Sequence, residues 1–487
     1  MDKSAVIRGK FTRYDQDIPD GTIILSFACT VPRQLRYMNI PDTVTDLTLP
    51  ADYNYALIKD DLPPNLYRLH MSHMYNHPLQ RDMMPSTIKV LCLSRLYSFE
   101  FDEQSFPEQL KILFIPGPYS KQLTSSAFPD TLTHLYLSGI NMPVLGENSL
   151  PVNLEFLSIT QHYNRIVQTD IFPPSIREMD VGATYDGPYD QIIIPRNLEK
   201  LMLTGRHVHP IYSSMFPPTL KILCLGREYN HPLGTGSLPK NLETLVLTYY
   251  KSQPINSRIF PPSLLHLDLG YGYTAEITEN SLPPELLTLK LWAYNHKLNP
   301  KTLPKSLLNL HLGVYDHKLQ KFDLPGNLES VYFGADYNHV IEKDVLPSSL
   351  KKISFHSSYD HPIDNPFLPD SVKEISIGDN FNSTIDINFL PSSLKRFQIS
   401  RPHQLLLFNG MYESLYFDVV LIKDIYPVQD VTIPFFYSYK VSEFSPYELE
   451  INGYQEIGRE VYDNRHIVKL INPNTFIPAS RAKSAKK

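Results

Sequence analysis

The chain has little of what most function classes require. Its 487 residues include three cysteines, Cys29, Cys92 and Cys224, far apart and odd in number. They make no CxxC pair and no disulfide framework, which leads us to expect a reducing, intracellular and cytoplasmic setting. The net charge is only −6, with no basic surplus to hold a phosphate backbone, so no nucleic-acid partner is expected. The longest apolar stretch, at 22–31, is too short to span a bilayer, and the charged N-terminus lacks the apolar core of a signal peptide. No membrane partner is expected either. There is no G-x-S-x-G, no phosphate-cradling glycine loop, no H-E-x-x-H and no EF-hand loop. We therefore expect no enzyme, no catalytic residue, no cofactor and no metal site.

What is present is a phased proline. It returns every 22 residues from Pro19 to Pro283, takes two 21-residue steps to Pro304 and Pro325, and resumes at Pro347, Pro369 and Pro391. A fixed period of this length marks a repeat solenoid, in which each coil buries its apolar edge against the next. With the proline as position 0, position +6 is apolar throughout, from Leu25 and Leu47 to Ile375 and Phe397, and position +8 follows it. Alternation at +6 and +8 is the period of a strand with one buried face. The expected fold is leucine-rich-repeat-like, with one short parallel β-strand per repeat and little α-helix. The rest of each repeat has room only for extended, polyproline-like or 3₁₀ structure.

A second signal follows the strand. Thirteen of the 18 repeats carry an aromatic there, among them Tyr53, Tyr75, Tyr97, Tyr229, Tyr294, Tyr315 and Phe381, and in ten of them Asn or Asp comes next. We expect a spine of rings stacked between coils, with the Asn side chains satisfying backbone groups of adjacent coils. The repeats at Pro129, Pro195, Pro239 and Pro391 lack the aromatic at its slot, as does the first repeat, at Pro19.

The leucine spacing, the phased proline and blocks such as YNHPL at 75–79 and FNSTI at 381–385 together resemble the FNIP repeat, over roughly residues 18–400. That family is a leucine-rich-repeat relative found in social amoebae and in giant viruses that infect them. The resemblance implies protein–protein interaction and no known catalytic residue. Some relatives carry an F-box or a kinase domain. Only 18 residues precede the first phased proline here, and no kinase signature appears. The LPxxLxxLxL half also resembles effector leucine-rich repeats of pathogenic bacteria. Some of those bear a ubiquitin-ligase domain with a nucleophilic cysteine, and residues after 400 contain none.

The organisation expected is an N-terminal cap at 1–17, a solenoid at 18–400, a β-rich C-terminal cap or small domain at 401–478, and a basic tail at 479–487. HQLLLFNG, SLYFDVVLI and the stretch around Asp463-Asn464 read as strands.

Side chains at +5, +7 and +9 are expected to point away from the core and form the partner surface. Two clusters stand out there: His266, Asp268, Lys290, Trp292, His311 and Tyr332, with the only tryptophan, and Phe114, His134 and Tyr136. Aromatics with mixed charge are typical interface anchors. A column of histidines, including His77, His296, His317, His339 and His361, is expected to hydrogen-bond in turns. The function expected is a non-enzymatic scaffold binding a protein on its strand face. The alternative is an adaptor recruiting a target to ubiquitin ligation through the C-terminal segment.

Overall fold

The structure, a computed structural model, describes residues 7–11, 17–27, 30–138, 145–159, 171–182, 194–203, 209–226, 229–251, 254–409, 418–422, 459–462 and 465–470. The chain divides into two compact halves, residues 1–250 with 258–264, and residues 251–257 with 265–487.

In the first half, Ile7–Phe11 pairs in parallel with Thr22–Phe27, and each later coil adds one parallel strand as far as Thr244–Leu247. The position +6 residues lie directly beside one another, as in Leu47↔Leu69↔Leu91↔Leu113 and Leu201↔Leu223↔Leu245. The second half repeats the arrangement from His266–Asp268 to Arg396–Ile399, with Leu289↔Leu310↔Val331↔Ile353 in register. Register therefore survives the two 21-residue steps. All of these position +6 side chains are buried. A leucine on one coil has too little of its own coil to hide in, and the stack supplies the rest, at about 1.5–3 kcal/mol for each side chain removed from water.

Each phased proline opens a turn. The N–H of position +3 donates to the proline carbonyl, as from Leu66 to Pro63 at 3.2 Å and from Leu350 to Pro347 at 3.1 Å. Proline suits this corner because it fixes φ and leaves no N–H to satisfy. A column that the leucine pattern passes over sits two residues after the proline. There Ser, Thr or Asn donates back to carbonyls of the preceding coil. Thr131 reaches Leu110 at 2.8 Å, Ser263 reaches Leu242 at 2.7 Å and Asn241 reaches Pro218 at 2.8 Å.

The return side takes two forms. Where Ser, Thr or Asp stands two residues before the proline, its side chain accepts an N–H three residues earlier, as Ser149 does from Gly146 and Ser281 from Thr278, both at 2.9 Å. At several coils where an apolar residue stands there, a single 3₁₀ turn forms, as at Arg81–Met83, Ser125–Ala127 and Ser213–Met215, but not at Val345 or Phe367. The described residues contain no α-helix, and no helix long and apolar enough to cross a membrane.

The aromatic spine is present and does more than stack. At several coils the tyrosine hydroxyl accepts the backbone N–H of an apolar residue one coil back: Leu35 to Tyr53 at 3.3 Å, Leu57 to Tyr75 at 3.4 Å, Leu79 to Tyr97 at 3.4 Å. Burial pushes the hydroxyls of Tyr53 and Tyr97 up to about 12. Phe381 has no hydroxyl, and there the N–H of Ile363 donates to the carbonyl of Thr384 at 2.9 Å instead. The Pro239 coil is not without its ring. Tyr250 stands one residue early, is buried, and accepts the N–H of Leu233 at 3.3 Å. Two residues separate it from Leu247, the same spacing that separates Leu291 from Tyr294 in a 21-residue coil. Tyr163 and Tyr185 lie outside the described residues.

The Asn ladder joins the same turns. The Oδ1 of Asn54 accepts the N–H of Asn76 at 3.0 Å, and that of Asn338 accepts the N–H of Asp360 at 3.1 Å.

At the C-terminal end, Asp418–Ile422 adds in parallel to Arg396–Ile399. Arg465–Leu470 then pairs with it antiparallel, and Arg459–Tyr462 pairs antiparallel with Arg465–Leu470. The Asp463-Asn464 turn signal thus falls between two strands. HQLLL does not form a strand: Pro402–Leu407 is a 3₁₀ helix. Its buried Gln404 explains why. Oε1 accepts the N–H groups of Ser400 and Arg401 at 2.9 and 3.0 Å, while Nε2 donates to the carbonyls of Gly378 and Phe381 at 2.7 and 3.1 Å. The expected boundary between 478 and 479 and the basic tail at 479–487 lie outside the described residues.

Candidate partner-binding face

In the second half, position +7 runs Asp268↔Lys290↔His311↔Tyr332↔Ser354↔Ser376 across adjacent strands. Parallel strands stand about 4.8 Å apart, so the in-register rings of His311 and Tyr332 are forced into contact, and Trp292 at +9 and Tyr271 at +10 join them from the flanking positions. Tyr271 and Trp292 have centroids 4.7 Å apart, Trp292 and His311 4.1 Å, and His311 and Tyr332 4.0 Å with planes 9° apart. A ladder of four rings results. The indole N–H of Trp292 donates to Oδ1 of Asp268 at 2.9 Å, and the N–H of Gly270 donates to the same oxygen at 2.9 Å. Gly313 permits the close approach beside Trp292, because a Cβ there would lie 2.1 Å from the Trp292 carbonyl oxygen.

Two members of the cluster are not exposed, contrary to expectation. Asp268 and His311 are each 6% accessible, whereas His266, Lys290, Trp292 and Tyr332 are half-buried. His311 is enclosed between the rings of Trp292 and Tyr332, and Asp268 is covered by the N–H donors of Trp292 and Gly270. Burial has electrostatic consequences. It raises the carboxyl of Asp268 above its ordinary range, opposed by the Gly270 N–H, the Lys290 ammonium and the Trp292 N–H. It pushes the imidazole of His311 down to about 3, with Lys290 and His356 acting in the same direction. His311 is therefore neutral near pH 7, and its buried Nε2 has no hydrogen-bond partner among the described residues. His266 stands on the +5 column in register with Thr288.

In the first half, Phe114 stacks on Tyr136 at 4.2 Å. Phe156, which the sequence pattern did not single out, completes this group at 4.9 Å from Tyr136 and 5.6 Å from His134. It occupies the neighbouring +5 column one coil on, so the signal for it was an aromatic beside, not within, the +7 column. Burial, with Glu178 and Asp180 adding to it, pushes the Tyr136 hydroxyl up to about 12. Burial lowers the His134 imidazole.

The histidine column is a set of turn contacts. Nε2 of His77, His296, His317 and His361 meets a carbonyl of the preceding coil at 2.8–3.1 Å, and His339 pairs with Asp316 at 2.8 Å. Among the described residues, no group of three or more His, Cys, Asp or Glu could hold a metal ion.

The parallel ladder, the buried +6 column and the near absence of helix define a leucine-rich-repeat-like solenoid. The family model described as FNIP Repeat matches residues 53–95, 229–272, 273–314, 315–358 and 359–401, so these five stretches are FNIP repeats. Each matched stretch begins on a spine tyrosine: Tyr53, Tyr229, Tyr273, Tyr315 and Tyr359. Among solved structures, the circular leucine-rich-repeat protein CroV588 is similar, with a TM-score of 0.56 and 23% identity over 78% of this chain. The chain spans 63% of the length of CroV588. YopM from Yersinia enterocolitica matches with a TM-score of 0.37 and 19% identity, over 81% of this chain and 83% of its own. A leucine-rich effector from Yersinia pestis matches with a TM-score of 0.35 and 18% identity, over 69% and 84%. These two superpose too loosely to carry a structural argument. No curated protein matches the chain.

Proposed function

We propose that the protein is a non-enzymatic binding scaffold and that the strand face of its second half, from Asp268 to Tyr332, seats a protein partner. The observation that carries this reading is the ring ladder Tyr271–Trp292–His311–Tyr332, hydrogen-bonded through Trp292 to the buried side chain of Asp268. Large, rigid, half-buried aromatics held in one geometry lose little entropy on docking, which is why such residues dominate interface energetics. The stack of Phe114, His134 and Tyr136 is a second seat on the same reading.

The test is a comparison of proteins captured by three full-length baits. Replacing Trp292 and Tyr332 together by Ala is expected to abolish capture of specific partners. Replacing the exposed turn residue Glu285 by Ala is expected to leave it intact. Equal capture by all three baits contradicts the assignment.

A further inference from the structure

The column at position +4 changes its charge pattern along the chain. Over residues 155–243 it alternates, as Glu155, Arg177, Glu199, Lys221 and Glu243, with Glu199 3.7 Å from Arg177 and 3.9 Å from Lys221, while earlier in that half Lys89 and Lys111 adjoin as a pair. In the second half Glu329 is followed by Lys351, Lys373 and Lys395, three like charges on successive strands. All three are exposed. Lys351 pairs with Glu329, but Lys373 and Lys395 have no ion-pair partner among the described residues. Lys352 and Arg396, on the adjacent +5 column, share the single carboxylate of Glu374 at 3.4 and 3.6 Å. Asp418 holds the register position beside Arg396. Like charges directly opposite on neighbouring strands are unfavourable, and the same fold avoids them at 155–243. On the same strands the +7 column continues from the ring ladder as Tyr332, Ser354 and Ser376, with Lys352 and Glu374 of the +5 column between it and the lysines.

We infer that this ridge receives an acidic, extended segment of a protein partner whose apolar end rests against Tyr332. The inference rests on the face being a partner seat and adds what the partner must carry there. Three lysines on strands about 4.8 Å apart span about 10 Å, the length of three or four residues of extended chain at about 3.3 Å each. A ridge that short matches an acidic run in a peptide better than a phosphate backbone, which needs a longer basic track.

The test uses the full chain and a fluorescein-labelled peptide of one phenylalanine followed by four glutamates, read by anisotropy. Binding is expected, weaker as salt rises from about 0.1 M toward 1 M, where the screening length falls from about 10 to 3 Å. It is also expected to weaken about tenfold in the K373Q/K395Q double variant, whose exposed side chains bear little on folding. Failure of the peptide to bind, equal binding of the four-glutamine analogue, or an unchanged affinity in the double variant overturns the inference. So does equally tight binding of a labelled eight-nucleotide oligouridylate, which would assign the ridge to nucleic acid. If the ridge fails while the Trp292 and Tyr332 replacements still abolish partner capture, the acidic-segment inference falls and the partner seat stands.

Discussion

Trp292 donates its indole N–H to Oδ1 of Asp268, one coil back, at 2.9 Å. The acceptor is a buried carboxylate whose folded-state pKa is raised above the ordinary 3.8. The folded state thus holds this proton more tightly than the unfolded chain does. Stability from this group is greatest below pH 3.8 and is lost as pH rises through the higher folded value. Asp268→Asn keeps the acceptor oxygen and removes the charge. Urea unfolding should show the variant at least as stable as the parent at pH 7.5, with the difference disappearing at pH 3.

His311 titrates with the opposite consequence. Its folded value of about 3 lies below the ordinary 6.5, so the unfolded chain binds the proton first. Stability is full above pH 6.5 and falls between 6.5 and 3, by at most about 1.4 kcal/mol per pH unit. His311→Phe retains the stack on Tyr332 and removes the titration. Urea midpoints at pH 7.5 and pH 5 should therefore differ less in the variant than in the parent. A parallel acid response would contradict the neutral, buried assignment.

The spine tyrosines make a sharper prediction. Tyr75→Phe leaves the N–H of Leu57 without its acceptor in a buried turn. The cost of such an orphaned donor is about 1–3 kcal/mol. Amide exchange at Leu57 should accelerate accordingly. Phe381→Tyr should gain nothing comparable, because the N–H of Ile363 is already bonded to Thr384.

Gly313→Ala forces a Cβ to within 2.1 Å of the Trp292 carbonyl oxygen, which is backbone and has no rotamer to escape into. Backbone strain of this sort costs on the order of 1–3 kcal/mol. Thermal unfolding should show the loss. Gly326→Ala, where an added Cβ meets nothing within 4 Å, should be nearly silent.

The strand register was legible in the sequence because leucines at +6 and +8 recur on one period, and a one-residue slip would turn every one of them to the other face. The Asn ladder was legible from residue type, since Asn beside an aromatic in a turn has few other uses. Tyr250 was not, because the proline period counts coil length and is blind to a residue moved from one turn to the next. Asp268 and His311 stand on one +7 column with Lys290 between them, and their burial is not readable from the sequence. Alternation assigns a side chain to a face and does not reveal how tightly in-register neighbours enclose it. The 3₁₀ turn at Pro402–Leu407 escaped for a related reason: apolar content favoured a strand, and the four hydrogen bonds of Gln404 prevailed.

The central claim is that successive coils stack strand beside strand in strict register, which places the face residues where they are. Nitroxide labels at Asn309 and Arg396, exposed positions four strand steps apart through Ser330, Lys352 and Glu374, measure it directly by electron–electron dipolar spectroscopy. Four steps of about 4.8 Å predict a narrow distribution centred near about 19 Å, broadened by the label arms. A broad distribution, or one centred beyond about 35 Å, would mean that the strands are not neighbours in that order.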